Sequence, residues 1–473
     1  MKIGFITLGC DKNTVDSERY LAQLAEYGGE YTDHLDLADV IIVNTCGFID
    51  AAKKESIDAL VEAGQYKAEG SCRAVVAIGC MVERHKGELT EALPEVDLFL
   101  GNSETDTLIS ELADRGLLDD QKLLEHPGVR LYTGDVPHIR YLKISEGCDH
   151  GCAFCAIPLM RGKHRSFALN DIVREAQLLE LQGAREVNLV AQDLAHYGRD
   201  LRNAQGVSTI RLPDLLEALV RETNIPWIRM MYLYSAGITP RLLEVVAREP
   251  RILPYLDMPI QHASNQVLER MRRPERQQTI REKVSLFRKA VPDVAIRTTC
   301  IVGFPGETSS DFEQLCEFLE EVQFERVGFF AYSPQEGTRA QQMHDDVPVH
   351  VKEERLEHVS DLQRAITAER YEARLGRTWT ALVDSTDPET NLSLARLPWQ
   401  ADDIDGVTFL DDNLPPGTLV EVAVHEVIDD YDFRASIIRV VDTPPQPSAS
   451  DRAATNGRRE LPMLSTSISS FGK

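Results

Sequence analysis

Three apolar runs in the N-terminal part of the chain each end on a cysteine: GFITLGC at Cys10, VIIVNTC at Cys46 and VVAIGC at Cys80. Helical patterns over residues 14–27 and 51–63 separate them. Short apolar runs alternating with helices imply a parallel sheet covered by helices, because parallel strands need crossover connections. Ligands of an open parallel sheet bind just beyond the carboxyl ends of its strands. A fold built on these runs therefore brings three thiols to one crevice. The alternative is three independent core cysteines, since free cysteine is often buried.

The rest of the chain divides by pattern. Strands are expected at 2–8, 40–44, 74–78 and 97–100, giving an N-terminal sheet domain over residues 1–112. Residues 113–135 are polar and irregular and read as a linker. A second alternating region spans 136–370, with strands at 141–145, 187–191, 228–232, 255–260, 294–301 and 327–332. Helices are expected between most of them, at 169–182, 212–221, 241–248, 281–290 and 309–322. Six strand–helix units suit a partial (β/α)6 barrel; a full barrel has eight. Residues 371–442 change to short alternating strands around the turn Pro415–Pro416–Gly417, which implies a small all-β barrel. Residues 443–473 are rich in Pro, Ser and Ala and are expected to be a disordered tail. The fold class is α/β multidomain.

The strongest local motif is EGCDHGCAFCAIP, where Cys148, Cys152 and Cys155 have the spacing C-x3-C-x2-C. It follows the first strand of the second region, at the edge where barrel active sites gather. Three thiolates on one tight loop can hold three irons of a [4Fe–4S] cluster and leave the fourth open for a substrate. A zinc site is the alternative. Structural zinc wants four ligands, usually in two C-x2-C pairs; no second pair is present, although His150 or His164 could supply a fourth ligand. The chain has nine cysteines, an odd number without a secretory signal, so disulfides are not expected. MKIGFITLGC reads as a first strand rather than a leader, and no run is long enough to cross a membrane, so a cytoplasmic protein is expected. Its formal charge of −25, from 51 Lys and Arg against 76 Asp and Glu, opposes a grip on phosphates and favours a basic partner, or serves solubility alone.

With Phe154 as its aromatic residue, C-x3-C-x-aromatic-C resembles the radical S-adenosylmethionine superfamily. The resemblance implies that the open iron chelates the methionine end of the cofactor. One electron then breaks the sulfur–C5′ bond to give methionine and a 5′-deoxyadenosyl radical. Two three-cysteine sets on a sheet domain, a radical barrel and a small β-barrel resemble the methylthiotransferase family over residues 1–442. That resemblance implies two [4Fe–4S] clusters, held by Cys10, Cys46 and Cys80 and by Cys148, Cys152 and Cys155. It also implies two molecules of S-adenosylmethionine per turnover, one as methyl donor and one as radical source, with an unidentified sulfur donor and electron donor.

Further strings resemble the branch that places a methylthio group on the β-carbon of an aspartate in the twelfth protein of the small ribosomal subunit. They are GC-x-KN-x-VDSE, VNTCGFID, YLKISEGC, IP-x-MRG, LPYLDMPIQHAS, RMRRP and IVGFPGET. The chain departs from the family at Asp11, where Pro is usual, at Phe167, where Arg is frequent, and in a longer tail. The resemblance implies cofactor contacts along IVGFPGE, with Ile301 and Val302 against adenine and Gly303 and Glu307 in the following turn. It also implies contacts from Gln192 and Asp193 at a strand end. Gln261, His262 and Arg297 are further cofactor-binding candidates. The terminal barrel resembles the TRAM fold, which in relatives often binds RNA. Here residues 371–442 carry fifteen acidic and five basic side chains, with stretches such as ADDID and IDDYDF, so a basic protein is the better expected partner. Three other assignments compete. The same chemistry on transfer-RNA adenosine is one, a two-cluster electron carrier is another, and a zinc-stabilised binding module is the third. An electron carrier would normally use four cysteines per cluster and leave no open iron.

Overall fold

Val40–Thr45 and Ala74–Gly79 are buried at every position, so they form the middle of a sheet rather than an edge. In the computed structural model of the protein these are β3 and β4. The described residues are 1–70, 72–118, 121, 130–131, 136–202 and 206–444. The N-terminal unit runs β1 (Lys2–Thr7), α1 (Asp11–Glu26), β2 (Glu30–Tyr31), β3, α2 (Asp50–Glu69), β4, α3 (Cys80–Ala92), β5 (Leu98–Gly101) and α4 (Leu108–Asp114). Its sheet is parallel, in the order β2-β1-β3-β4-β5. Val43 pairs in register with Ile6 on one side and Ala77 on the other, so the carboxyl ends of β1, β3 and β4 lie side by side.

The second unit begins with β6 (Ile139–Lys143) and a two-strand ribbon, β7 (Ser145–Glu146) with β8 (Arg165–Ser166), which brackets α5 (Ile157–Arg161). It continues through α6 (Leu169–Leu181), β9 (Glu186–Val190), α7 (Leu212–Glu222), β10 (Trp227–Met230), α8 (Pro240–Arg248), β11 (Tyr255–Asp257), α9 (Asn265–Arg270) and α10 (Gln277–Ala290). The last elements are β12 (Ala295–Val302), α11 (Ser309–Val322), β13 (Arg326–Ala331) and α12 (Val349–Glu372). All ladders among the six principal strands are parallel, in the orders β10-β9-β6 and β11-β12-β13. One isolated bridge, Ile228 to Ile252, joins the two halves into a partial barrel.

The third unit is a closed barrel of β14 (Thr378–Thr386), β15 (Ser393–Arg396), β16 (Thr408–Phe409), β17 (Leu419–Ile428) and β18 (Asp432–Asp442). It docks on the inner side of the partial barrel. Trp227, Tyr255 and Ala295 share one apolar cluster with Trp399, Ala401 and Phe433. Glu186 is fully buried between Arg229 at 2.7 Å and Arg396 at 2.6 Å, and Arg229 donates to the carbonyls of Pro398 and Gln400. Removing one partner of such a buried pair costs roughly 3–5 kcal/mol, because it leaves the other charge buried and uncompensated.

Three sequence expectations change. Helix α12 was not expected and crosses the anticipated boundary at residue 370, with Tyr371 inside the terminal barrel's core. Its inward positions include Lys352, Arg355, Gln363 and Thr367, which hide any apolar stripe. The segment read as linker contributes Arg130, which is buried on Glu18 at 2.5 Å and Glu175 at 2.9 Å and so ties the sheet domain to α6. The strand expected at 255–260 stops at Asp257. Residues 445–473, where a disordered tail is expected, lie outside the described residues.

Candidate functional site

Cys10 immediately precedes α1, Cys46 follows β3, and Cys80 opens α3. Gly9 has φ +95°, and a Cβ there would lie 2.8 Å from the Cys46 sulfur, so the first two cysteine segments touch. The three thiols lie within electrostatic reach of one another: Cys46 feels Cys10 and Cys80, and Cys80 feels Cys10. Cys10 is exposed while Cys46 and Cys80 are buried, which makes a pocket open on one side. Cys80 has two N–H donors, Arg161 Nε at 3.2 Å and Asn102 Nδ2 at 3.4 Å.

The second triad sits on the loop between β7 and α5. Cys148 N–H bonds the carbonyl of Gly162, Ala153 N–H that of Met271, and Cys155 N–H that of Cys152. Gly147 has φ +77°, and a Cβ there would lie 2.1 Å from the Lys163 carbonyl oxygen, so glycine is required. Burial pushes the Cys148 thiol up to about 11 and Cys155 to about 12, and raises Cys46 and Cys80 as well. Metal ligation at these sites must therefore release protons.

The two triads meet through α5. This helix starts two residues after Cys155 and ends at Arg161, whose guanidinium reaches Cys80, Asp16 (2.6 Å), Glu146 (3.1 Å) and Asn13. Ala156, Ile157 and Met160 pack with Cys80 in one apolar cluster. Lys143 pairs with Asp16 and, at 2.6 Å, with Glu146, whose other oxygen accepts from Gln192 at 2.8 Å. Across the crevice, Lys12 lies 3.6 Å above the Tyr232 ring.

The donor sets fit clusters better than a single ion. Tetrahedral zinc on thiolates brings sulfurs to about 3.8 Å, given its Zn–S distance. Among the described residues, the group of three ligand atoms mutually within 4.8 Å is His150, Asp193 and His196, so the sulfurs of neither triad close that far. All nine cysteines are free thiols. The His–Asp–His group braces the loop: His150 Nε2 lies 2.8 Å from Asp193 and its ring stacks between those of His196 and Tyr234.

Family models match this chain in two places: residues 2–101 fit "Uncharacterized protein family UPF0004", and residues 142–319 fit the radical SAM superfamily. Among curated proteins, "Ribosomal protein uS12 methylthiotransferase RimO" of Anaeromyxobacter sp. (strain Fw109-5) is 43% identical over 438 residues, covering 91% of this chain and 92% of the relative. The protein of that name from Aquifex aeolicus is 40% identical over 445 residues, covering 93% and 98%. The chain belongs to the RimO family. It is thus a radical SAM methylthiotransferase, which works with an iron–sulfur cluster and S-adenosylmethionine. The radical S-adenosylmethionine methyltransferase TsrM from Kitasatospora setae shares the fold at a TM-score of 0.51 and 12% identity, over 69% of this chain and 72% of that one.

In this RimO-family enzyme the other expected cofactor residues separate into two groups. Gln192, Gln261, Arg297 and Ile301 are half-buried at strand carboxyl ends or along β12, and Phe154 is half-buried against Phe304 and Tyr332. Gln261 has φ +73°, an uncommon backbone conformation for a residue other than glycine. Gly303 has φ +70° and packs on the stem of Lys352. Asp193, His262, Val302 and Glu307 are instead buried, as is Gly303. Asp193 Oδ1 caps Ala195 N–H and Oδ2 takes His150. His262 lies 3.6 Å from Glu307, and Glu307 pairs with Arg355 at 2.8 Å, so both brace the IVGFPGE turn from behind. Arg297 pairs with Asp257 at 3.2 Å. Sequence reasoning missed Arg161, Asn102, Lys12, Tyr232 and Tyr234. IP-x-MRG was visible as a family string, but nothing in its spacing says that Arg161 meets Cys80.

Proposed function

We propose that this enzyme places a methylthio group on the β-carbon of an aspartate in ribosomal protein uS12, using one [4Fe–4S] cluster on Cys10, Cys46 and Cys80 and another on Cys148, Cys152 and Cys155. Bound there, the loop-triad cluster would pass on the electron that cleaves S-adenosylmethionine, and the sheet-triad cluster would hold the sulfur that is methylated and transferred. The observation that carries this reading is α5, which starts beside Cys155 and ends with Arg161 on Cys80, so that one five-residue helix links the two triads.

The chain's own residues have separable tasks. Gln192, Gln261, Ile301 and Gly303 stand at strand carboxyl ends, where the cofactor's methionine and adenosine would be held, and Arg297 lies further back along β12. Phe154 packs the cluster loop against Phe304 and Tyr332 and keeps it dry. Asp193 fixes His150 and so the loop between Cys148 and Cys152. The terminal barrel's acidic surface suits a basic ribosomal protein and repels RNA. The cytoplasm is the compartment that holds such a substrate.

The test is mass spectrometry of uS12 after anaerobic incubation with reconstituted enzyme, reductant, sulfide and S-adenosylmethionine. A single methylthio group on an aspartate-containing peptide is expected. Release of 5′-deoxyadenosine with unmodified uS12 would sink the substrate assignment and leave the radical chemistry standing.

A further inference from the structure

Among the described residues, Cys80 is the thiol of the first triad that accepts side-chain N–H donors, one from each domain. Asn102 Nδ2 approaches its sulfur at 3.4 Å and also holds the Met160 carbonyl at 2.8 Å. Arg161 Nε approaches at 3.2 Å. The guanidinium is 6% exposed and fully engaged: Nη1 lies on Asp16 and Glu146, Nη2 on Asn13, which leaves Nε directed at sulfur. The donor comes from the barrel and the acceptor from the sheet domain. Such a contact exists only when the two units are docked with α5 against α3.

Hydrogen bonds to cysteine sulfur and nearby net charge set the potential of an iron–sulfur cluster, and N–H donors favour the more negative, reduced form. A hydrogen bond with an ionised donor is roughly twice as strong as a neutral one. The fixed charges around Arg161 are two carboxylates, Asp16 and Glu146, the ammonium of Lys143 and, further off, that of Lys12. Deleting the guanidinium would remove one positive charge from beside Cys80.

We infer that Arg161 is a positioning residue for the first triad. Its charge-assisted N–H···S bond to Cys80 raises the reduction potential of the cluster held there and makes that potential depend on docking of the two domains. This rests on the proposed two-cluster reading.

The test uses the full chain carrying Cys148→Ala, Cys152→Ala and Cys155→Ala, reconstituted anaerobically so that iron occupies the first triad alone. Redox titration followed by electron paramagnetic resonance reads its midpoint. Adding Arg161→Gln is expected to lower the reduced-to-oxidised ratio at a fixed potential about tenfold, equivalent to ~59 mV for a one-electron couple. Arg161→Lys keeps the charge and the reach to Asp16 but lacks the Nε–H fork, and is expected to fall between the two. In the converse chain, with Cys10, Cys46 and Cys80 replaced by alanine, Arg161→Gln should leave the second cluster's midpoint in place. A first-triad midpoint unmoved by Arg161→Gln, or fully restored by lysine, overturns the assigned hydrogen bond. If the Gln variant does not load iron, the Lys variant decides alone. No cluster signal in the parent chain would instead overturn the two-cluster reading itself.

Discussion

The two cysteine triads reach similar arrangements by opposite routes. Cys148, Cys152 and Cys155 lie on one loop whose shape is set by its own backbone bonds and by Gly147. Cys10, Cys46 and Cys80 come from three strand ends, and only the ladder register of β1, β3 and β4 puts them together. The loop triad is local and depends on few residues. The sheet triad is a property of a whole domain and of its dock on the barrel, through Arg161 and Asn102. A lesion near the loop triad should be confined to its own loop. A lesion near the sheet triad should spread across the three strand ends that build it.

Cysteine replacement should separate them most strongly. Cys148→Ala is expected to cut 5′-deoxyadenosine formation by at least ~10³-fold, the scale on which loss of one member of a catalytic unit acts. Cys46→Ala should keep cofactor cleavage within a few-fold of the parent and lose methylthio transfer. Chromatography of deoxyadenosine beside mass spectrometry of the product reads both. Normal transfer by the Cys46 variant would erase the division of labour.

Glycine replacement sharpens the contrast at a smaller scale. Gly147→Ala demands a left-handed backbone from a residue with a side chain, at about 1–2 kcal/mol, and places a Cβ against the Lys163 carbonyl. Gly9→Ala meets the Cys46 side chain instead. Iron analysis should show the Gly147 variant losing iron from the loop triad while the sheet triad stays loaded, with the reverse for Gly9→Ala. Loss of both in either variant would mean that the triads assemble as one unit.

The same contrast explains what could be read from sequence. C-x3-C-x2-C is a local spacing, and strand-end cysteines become visible because buried parallel strands are unbroken apolar runs that topology aligns. Arg161 was not legible as a partner of Cys80, because a contact between residues from two domains leaves no periodicity. Helix α12 was not legible because Lys352 and Arg355 point inward to serve the IVGFPGE turn, where Arg355 pairs with Glu307. Asp193 and His262 stand out in the sequence by their place at strand ends, and Glu307 by its place in the IVGFPGE turn. Their burial and their partners, which include His150, Ser264 and Arg355, are revealed only by the packed fold.

Acid should loosen the interface between the triads before it unfolds either domain. Burial alone would raise the Asp16 carboxyl, but Lys143 and Arg161 outweigh it and hold the group down at about 2, from an ordinary 3.8. A carboxylate depressed in the folded state stabilises fully above its unfolded value, and that contribution, on the order of 2 kcal/mol, is lost as pH falls through the folded one. The window therefore runs from about pH 4 down to about 2. Hydrogen exchange on the iron-free chain should show α1 and α5 losing protection across it, while the buried strands β3 and β4 hold. Asp16→Asn removes one titrating group and should begin with weaker docking that changes less over this range, the remainder coming from Glu146, which the same Lys143 and Arg161 hold down. If α1 and α5 of the Asn variant loosened with the same pH dependence as the parent, Asp16 would not be the group that ties the sheet triad to the loop triad.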